Sequence, residues 1–281
     1  MNSIKTVCLF LPLVFSMAAH GVELKGSFTQ GGMIIGHTSP DAKVSFKGRS
    51  LKVSPDGYFV LGFGRDAPLD SELTVHFANG FEETEPVHIK KRRYDEQRIN
   101  GLPKNKVEPS AKELKRIWAE QKLIDAARAR DDEREDFLSD FIWPVTGRIS
   151  GIYGSRRILN GKPKRPHMGL DIAAPEGTTV VAPADGVVTL GHHDMFYTGG
   201  TLFLQHGHGI STMYIHLSKI LVKDGQEVKQ GQPIAEVGMT GRATGPHLHW
   251  GMNWFNTKLD PGLLVPPMKK ADTRDKLQET R

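Results

Sequence analysis

Between residues 22 and 90, short apolar runs alternate with turn residues. "GMIIGHT", "AKVSFKG", "SLKVSPDGYFVLGFG" and "ELTVHFANGFEETEPVHI" have the length and β-branched or aromatic content of strands. "SPDG" at 54–57 and "ANG" at 78–80 are turn sequences. Strands at this spacing predict a small β-sandwich of immunoglobulin-like type over 22–90. No motif there carries chemistry, so an accessory or targeting role is expected. From 91 to 140 the pattern changes. "KKRRYDEQRINGLPKNKVEPS" is charged and reads as a linker. Ser110 and Glu113 then make an S-x-x-E capping box, and Leu114, Ile117, Trp118, Gln121 and Ile124 follow at helical spacing. This predicts a helix from about 111 to 130 whose apolar stripe packs on a neighbouring domain, with a position over an active site as the alternative. The run "ARARDDERED" (127–136) is expected to be a solvated face. From 141 onward Gly and Pro punctuate short β-branched runs such as "TTVVAPADGVVTLG" and "GTLFLQHGHGISTMYIHL". A second all-β domain is expected over 141–265, followed by a polar, disordered tail over 266–281. The fold class is therefore mainly β: a sandwich, a helical connector and a C-terminal antiparallel domain.

The first residues, "MNSIKTVCLFLPLVFSMAAHG", place Lys5 before an apolar run from Val7 to Phe15 and then small residues. That is the pattern of a secretory signal peptide over 1–20, cut after Ala18 or Ala19, and the run is too short to cross a membrane. Cys8 is the only cysteine and lies inside it. The mature chain would hold no disulfide and no thiolate metal site. No other stretch approaches about 18 apolar residues, so no transmembrane helix is expected. The length of 281 residues suits about two domains. A net charge of +5 draws the protein to polyanions, among them anionic cell-wall polymers. Fingerprints of nucleic-acid modules are absent, so no nucleic-acid partner is expected.

Eight of the twelve histidines lie between 167 and 249. "HMGLD" sets His167 four residues before Asp171, which is one face of either a strand or a helical turn, and Gly169 between them relieves crowding. In "PHLHW", His247 and His249 share one face of a strand while Leu248 points to the other. Two histidines and an aspartate make a nitrogen–oxygen zinc set that leaves a fourth position open. His247, His249 and His216 are all candidates for the third ligand.

Four separated stretches occur in order: "WPVTG" (143–147), "HMGLDIAAPEGTTVVAPADGVV" (167–188), "QHGHGISTMYIHLS" (205–218) and "VKQGQPIAEVGMTGRATGPHLHW" (228–250). Together they resemble the lysostaphin/LytM-type zinc metalloendopeptidases, which cut peptide bonds in peptidoglycan. The resemblance covers about 141 to 265. It implies a lysostaphin-like β catalytic domain, a Zn²⁺ cofactor held by His167, Asp171 and His249, and two catalytic histidines, His216 and His247. It also implies a secreted, periplasmic enzyme acting on peptidoglycan peptide stems, and leaves room for a regulatory protein partner. His206 is expected to be structural. His192, His193 and Asp194 are expected in a solvated loop, Asp185 to stabilise the turn "PADG", and Tyr214 to line the groove. Two departures stand out. The segment before His167 is basic (Arg156, Arg157, Lys162, Lys164, Arg165) and can contact acidic groups of the wall peptide or cover the zinc. Gly251 replaces the usual acidic residue after H-L-H-[FWY]. The alternatives are a zinc protease acting on glycine-rich proteins, or a latent or non-catalytic activator of other cell-wall hydrolases. The full set of five residues argues against the non-catalytic reading.

Overall fold

The computed structural model describes residues 21–268. The expected signal peptide and residues 269–281 of the expected tail lie outside the described residues. Seven strands come first: Glu23–Gly26 (β1), Met33–His37 (β2), Lys43–Phe46 (β3), Arg49–Leu51 (β4), Tyr58–Gly62 (β5), Asp70–His76 (β6) and Glu82–His88 (β7). They form two antiparallel sheets, β1-β2-β5 and β4-β3-β6-β7. The chain crosses from one sheet to the other after β2, returns after β4 and crosses again after β5, as in Greek-key sandwiches. In β6 the alternation is explicit, with Leu73 and Val75 fully buried and the residues between them more exposed. Ile34, Phe46, Phe59, Leu61 and Val87 complete the core between the sheets.

The connector holds a strand, Glu96–Ile99 (β8), a single helical turn, Lys104–Val107 (α1), and one long helix, Ala111–Ala129 (α2). The capping box is formed at both ends: the Ser110 hydroxyl accepts from the Glu113 amide at 3.3 Å, and the Glu113 carboxylate accepts from the Ser110 amide at 2.7 Å. The buried face of α2 differs from the stripe read in the sequence. It consists of Glu120, Ile124, Ala127 and Arg128, while Trp118 is 62% exposed. Glu120 is buried because its carboxylate takes the Arg116 guanidinium and the Phe196 amide. The apolar residues Ile117 and Trp118 instead line an open cleft. The charge run 127–136 is mostly exposed or half-exposed, as expected, but it also carries buried contacts. Arg128 is buried, and the backbone carbonyls of Arg130 and Asp132 bind Gln205 and His208.

The C-terminal part contains β9 (Arg148–Gly151), β10 (Arg156–Leu159), β11 (Lys162–Lys164), β12 (Leu170–Ala173), β13 (Thr179–Val181), β14 (Gly186–Met195), β15 (Gly199–Gly207), β16 (Ile210–Leu217), β17 (Lys219–Ile220), β18 (Glu227–Val228), β19 (Pro233–Glu236), β20 (His247–Trp254) and β21 (Thr257–Leu259). Its main sheet is antiparallel, in the order β18-β14-β15-β16-β20-β12-β9, with β21 on β20. β15 and β16 are buried along their whole length because both faces are covered. Phe203, Met213 and Ile215 pack with Ile124 and Ala127 of α2. Leu202, Leu204 and Tyr214 face the main core with Val180 and Ile234 from the small sheet β13-β19-β17. That core is continuous with the sandwich, since a Cβ at Gly62 would lie 2.9 Å from Trp254 and the Phe46 ring sits 6.2 Å from the Trp254 ring. Residues 266–268 are held rather than loose: the Trp143 indole donates to the Pro266 carbonyl and the Gly147 amide to the Met268 sulfur.

Candidate metal centre

β20 and β12 are neighbours, and their register sets Asp171 directly opposite His249. Cross-strand partners share a face, so the carboxylate and the imidazole project together. Leu248, fully buried, points into the core on the other side. His247 lies two residues along the same face, its Nε2 3.9 Å from Asp171 Oδ1. His167 precedes β12, anchored by its own backbone: its amide donates to Ser155 and its carbonyl accepts from Gly154. Gly169 is required by the closeness of β12 to β20, because a Cβ there would lie 2.6 Å from the Trp250 carbonyl and 2.7 Å from His249 Nε2. Gly151 has the same role on the other side of β12, where a Cβ would meet Asp171 Oδ2 at 2.3 Å.

His216 reaches the cluster by a different device. On β16, Ile215 is the residue paired with His249, so regular alternation would turn His216 towards the core. Instead β16 carries one residue more than β15 between the pairs Gly200–Leu217 and Leu202–Tyr214, and His216 has φ +67°. This bulge re-aims the side chain, bringing its ring 4.8 Å from His247 and 6.4 Å from His249.

Three side-chain atoms form a closed triangle: His167 Nε2 to Asp171 Oδ1 at 2.9 Å, His249 Nδ1 to the same oxygen at 2.8 Å, and His167 Nε2 to His249 Nδ1 at 2.8 Å. His167 Nδ1 donates to the Ile152 carbonyl at 3.1 Å, so in the neutral ring Nε2 presents a lone pair. One hydrogen on His249 Nδ1 cannot satisfy both remaining contacts, and the triangle is left with acceptors facing acceptors. A cation resolves that conflict, and the donors are those zinc takes. The residues therefore fit a zinc ion. Asp171 is divided between two tasks, Oδ1 in the triangle and Oδ2 on Arg157 Nη2 at 2.5 Å. Burial favours the neutral carboxyl, but hydrogen bonds and charge from His167 and His249 outweigh it and hold Asp171 well below the ordinary range. Burial pushes His249 down to about 4, against the pull of Asp171. Burial, then the charges of His247 and His249, push His216 down to about 3.

His216 and His247 are set in one tautomer by backbone carbonyls. Their Nδ1 atoms donate to Thr240 and Gly245, each at 2.8 Å, leaving both Nε2 atoms unprotonated in the neutral rings. Two cavities open onto the cluster. One, of about 890 Å³, runs past His167, His249, Trp118 and Tyr197. The other, of about 260 Å³, reaches Asp171, His247 and Arg148. Arg157, Leu159, His216 and Arg242 line both. The basic segment before His167 is the hairpin β10–β11, and β8 of the connector pairs with it in parallel.

All five sequence-derived positions thus converge. Tyr214 does not line the groove: it is fully buried and its hydroxyl bonds Thr212. His206 is buried between the Asp185 carbonyl and the Thr212 hydroxyl. Asp185 ties down the neighbouring loop at Lys229 and Gln230 rather than its own turn. His192, His193 and Asp194 lie on β14, not in a loop, and Asp194 holds Arg116 of α2. Sequence reading missed the pairing of Arg157 with Asp171 and the position of Arg242. Neither has a local signal, since each is one basic residue among many.

The profile of Peptidase family M23 matches residues 165–261. Over 105 residues, 37% of this chain, the sequence is 50% identical to the peptidoglycan DD-endopeptidase ShyA of Vibrio cholerae. Over 118 residues, 42% of this chain, it is 46% identical to an uncharacterized metalloprotease of Haemophilus influenzae. The matched stretches span only 24% and 22% of those two proteins. A Pseudomonas aeruginosa protein described as a peptidase M23 has a crystal structure that superposes with a TM-score of 0.65 at 30% identity, covering 85% of this chain and 95% of that one. On a match of that extent, together with the geometry of the site, the chain belongs to peptidase family M23.

Proposed function

We propose that this protein is a secreted, zinc-dependent endopeptidase that hydrolyses the peptide cross-links of peptidoglycan in the periplasm. The observation that carries the reading is the triangle of His167, Asp171 and His249 with two further imidazoles, His216 and His247, turned towards it. The 50% identity to a DD-endopeptidase over 105 residues supports the substrate. Zinc held by these three residues supplies a Lewis acid and a water of lowered pKa.

The chain's own groups do the rest. The Thr240 and Gly245 carbonyls keep Nδ1 protonated on His216 and His247, so each ring faces the site with a lone pair at Nε2. One ring accepts the proton of the attacking water. The other, carrying a proton taken up from solvent, donates a hydrogen bond to the oxygen that gains charge at the scissile carbonyl, and the proton accepted by the first ring passes to the leaving amine nitrogen. The low proton affinity of buried His216 keeps it neutral at the start of the cycle. Trp118 and Tyr197 give the larger cleft aromatic walls against which a peptide stem can lie.

The test is digestion of purified murein sacculi by the protein, with and without a zinc chelator, with products read by mass spectrometry. Loss of cross-linked dimers, abolished by chelation and by His249→Ala, is the expected result. Intact sacculi with cleaved glycine-rich peptides would point to a protein substrate instead. Intact sacculi with a folded, zinc-loaded protein would overturn the reading.

A further inference from the structure

The smaller cavity is strongly cationic. Arg148, Arg157 and Arg242 line it, and Asp171 is the only acidic side chain that does. That carboxylate is already committed, one oxygen to the imidazoles and the other to Arg157. Arg157 still has a buried Nε with no hydrogen-bond partner. Among the described residues Arg242 has no ion-pair partner; its guanidinium lies over the Tyr197 ring and reaches only the Lys106 carbonyl, at 3.4 Å. Buried guanidinium groups without a counter-charge are costly. Arg242, half-buried and without a counter-charge, stands with the half-buried Arg157, which has one carboxylate partner and an unpaired Nε, beside the candidate cation site, and together they call for an anion from outside the chain. The fork of an arginine matches a planar carboxylate.

The proposed substrate carries such a group at the right place. In a D,D cross-link the acylated amino group sits on a D-configured carbon that bears its own free carboxylate, two bonds from the scissile nitrogen. An internal peptide bond has no such carboxylate, because that carbonyl is consumed in the next amide. We propose that Arg157 and Arg242 form a carboxylate subsite that binds this free α-carboxylate on the leaving-group side of the scissile bond. Through Arg157 the subsite is joined to Asp171, so one guanidinium positions both a residue of the zinc triangle and the substrate. The inference rests on the endopeptidase reading and adds a basis for selecting D,D bonds over internal ones.

The experiment compares a cross-linked muropeptide dimer as the free acid and as the primary amide at that one carboxylate. Calorimetry measures both affinities for the zinc-loaded His216→Ala protein, in which turnover is blocked. The acid is expected to bind about 10- to 100-fold tighter than the amide. Adding Arg242→Gln or Arg157→Gln is expected to bring the ratio near one. Misfolding or zinc loss would weaken both ligands together and leave the ratio alone, and metal content is measured in parallel. Equal affinity for the two forms, binding of neither, or a ratio unmoved by both substitutions would overturn the subsite. Hydrolysis by the unmodified protein is scored separately: selective binding without cleavage keeps the subsite and removes the endopeptidase, whereas equal binding and cleavage of both forms does the reverse.

Discussion

Replacing Gly169 by alanine puts a methyl group where the residue before β12 lies against β20. Its Cβ would stand 2.6 Å from the Trp250 carbonyl oxygen and 2.7 Å from His249 Nε2. Ordinary contact begins at 3.4 Å, so the Trp250 backbone must move away by 0.8 Å and the His249 ring must also give. Either movement opens the triangle, whose edges are 2.8–2.9 Å. A shift near 1 Å in a reacting centre costs about 100-fold in rate. Disturbed support of a metal ligand costs about 10- to 100-fold in affinity. The overpacking itself destabilises the fold by about 1–3 kcal/mol. Zinc affinity is measured by competition with a fluorescent chelator, and stability by urea unfolding in excess chelator. Gly64→Ala is the control, since its Cβ would meet only the Thr257 methyl at 3.6 Å. Zinc affinity within threefold of the parent protein, with stability matching the control, would refute this account of why position 169 is glycine.

Single replacement of His216 or His247 by alanine is expected to leave one zinc per chain by metal analysis while cutting hydrolysis of sacculi by about 10²- to 10⁴-fold; full activity in His247→Ala would remove it from the mechanism. A pH effect is expected from His206, which burial pushes down to about 4 against its bond to the Asp185 carbonyl, from an ordinary value of 6.5. The unfolded chain binds the extra proton between those values, so this contribution is intact above pH 6.5 and is lost as pH falls towards 4. Its size is about 3 kcal/mol. Urea unfolding in chelator at pH 7 and 4.5 is therefore expected to show a smaller acid loss for His206→Gln than for the parent, and equal losses would contradict the assignment.

Local signals in the chain carried much of this structure. The capping box at Ser110 and Glu113 predicts where α2 begins because both partners lie within one turn. The alternation around Leu73 and Val75 predicts a strand with one buried face because the period of two is a local property. The stripe on α2 misled because Ile117 and Trp118 are apolar towards a cleft, not towards a core, and period alone does not say what a face meets. Arg128 is buried under the distant Phe203 ring, and Glu120 needs the distant Phe196 amide as well as its neighbour Arg116.

By itself the sequence determined a mainly β chain and the placing of His247 and His249 on one strand face, and its resemblance to a known family across four separated motifs singled out five candidate site residues. The first two features depend on residue type and spacing within a few positions. Tertiary structure alone decided that Asp171 stands opposite His249, that a bulge turns His216 out of the core, and that Arg157 meets Asp171 from a hairpin backed by the connector strand. Each of these is a register or packing outcome between segments far apart in the chain. It is set by which strands pair and how closely their backbones approach, and no local pattern encodes that.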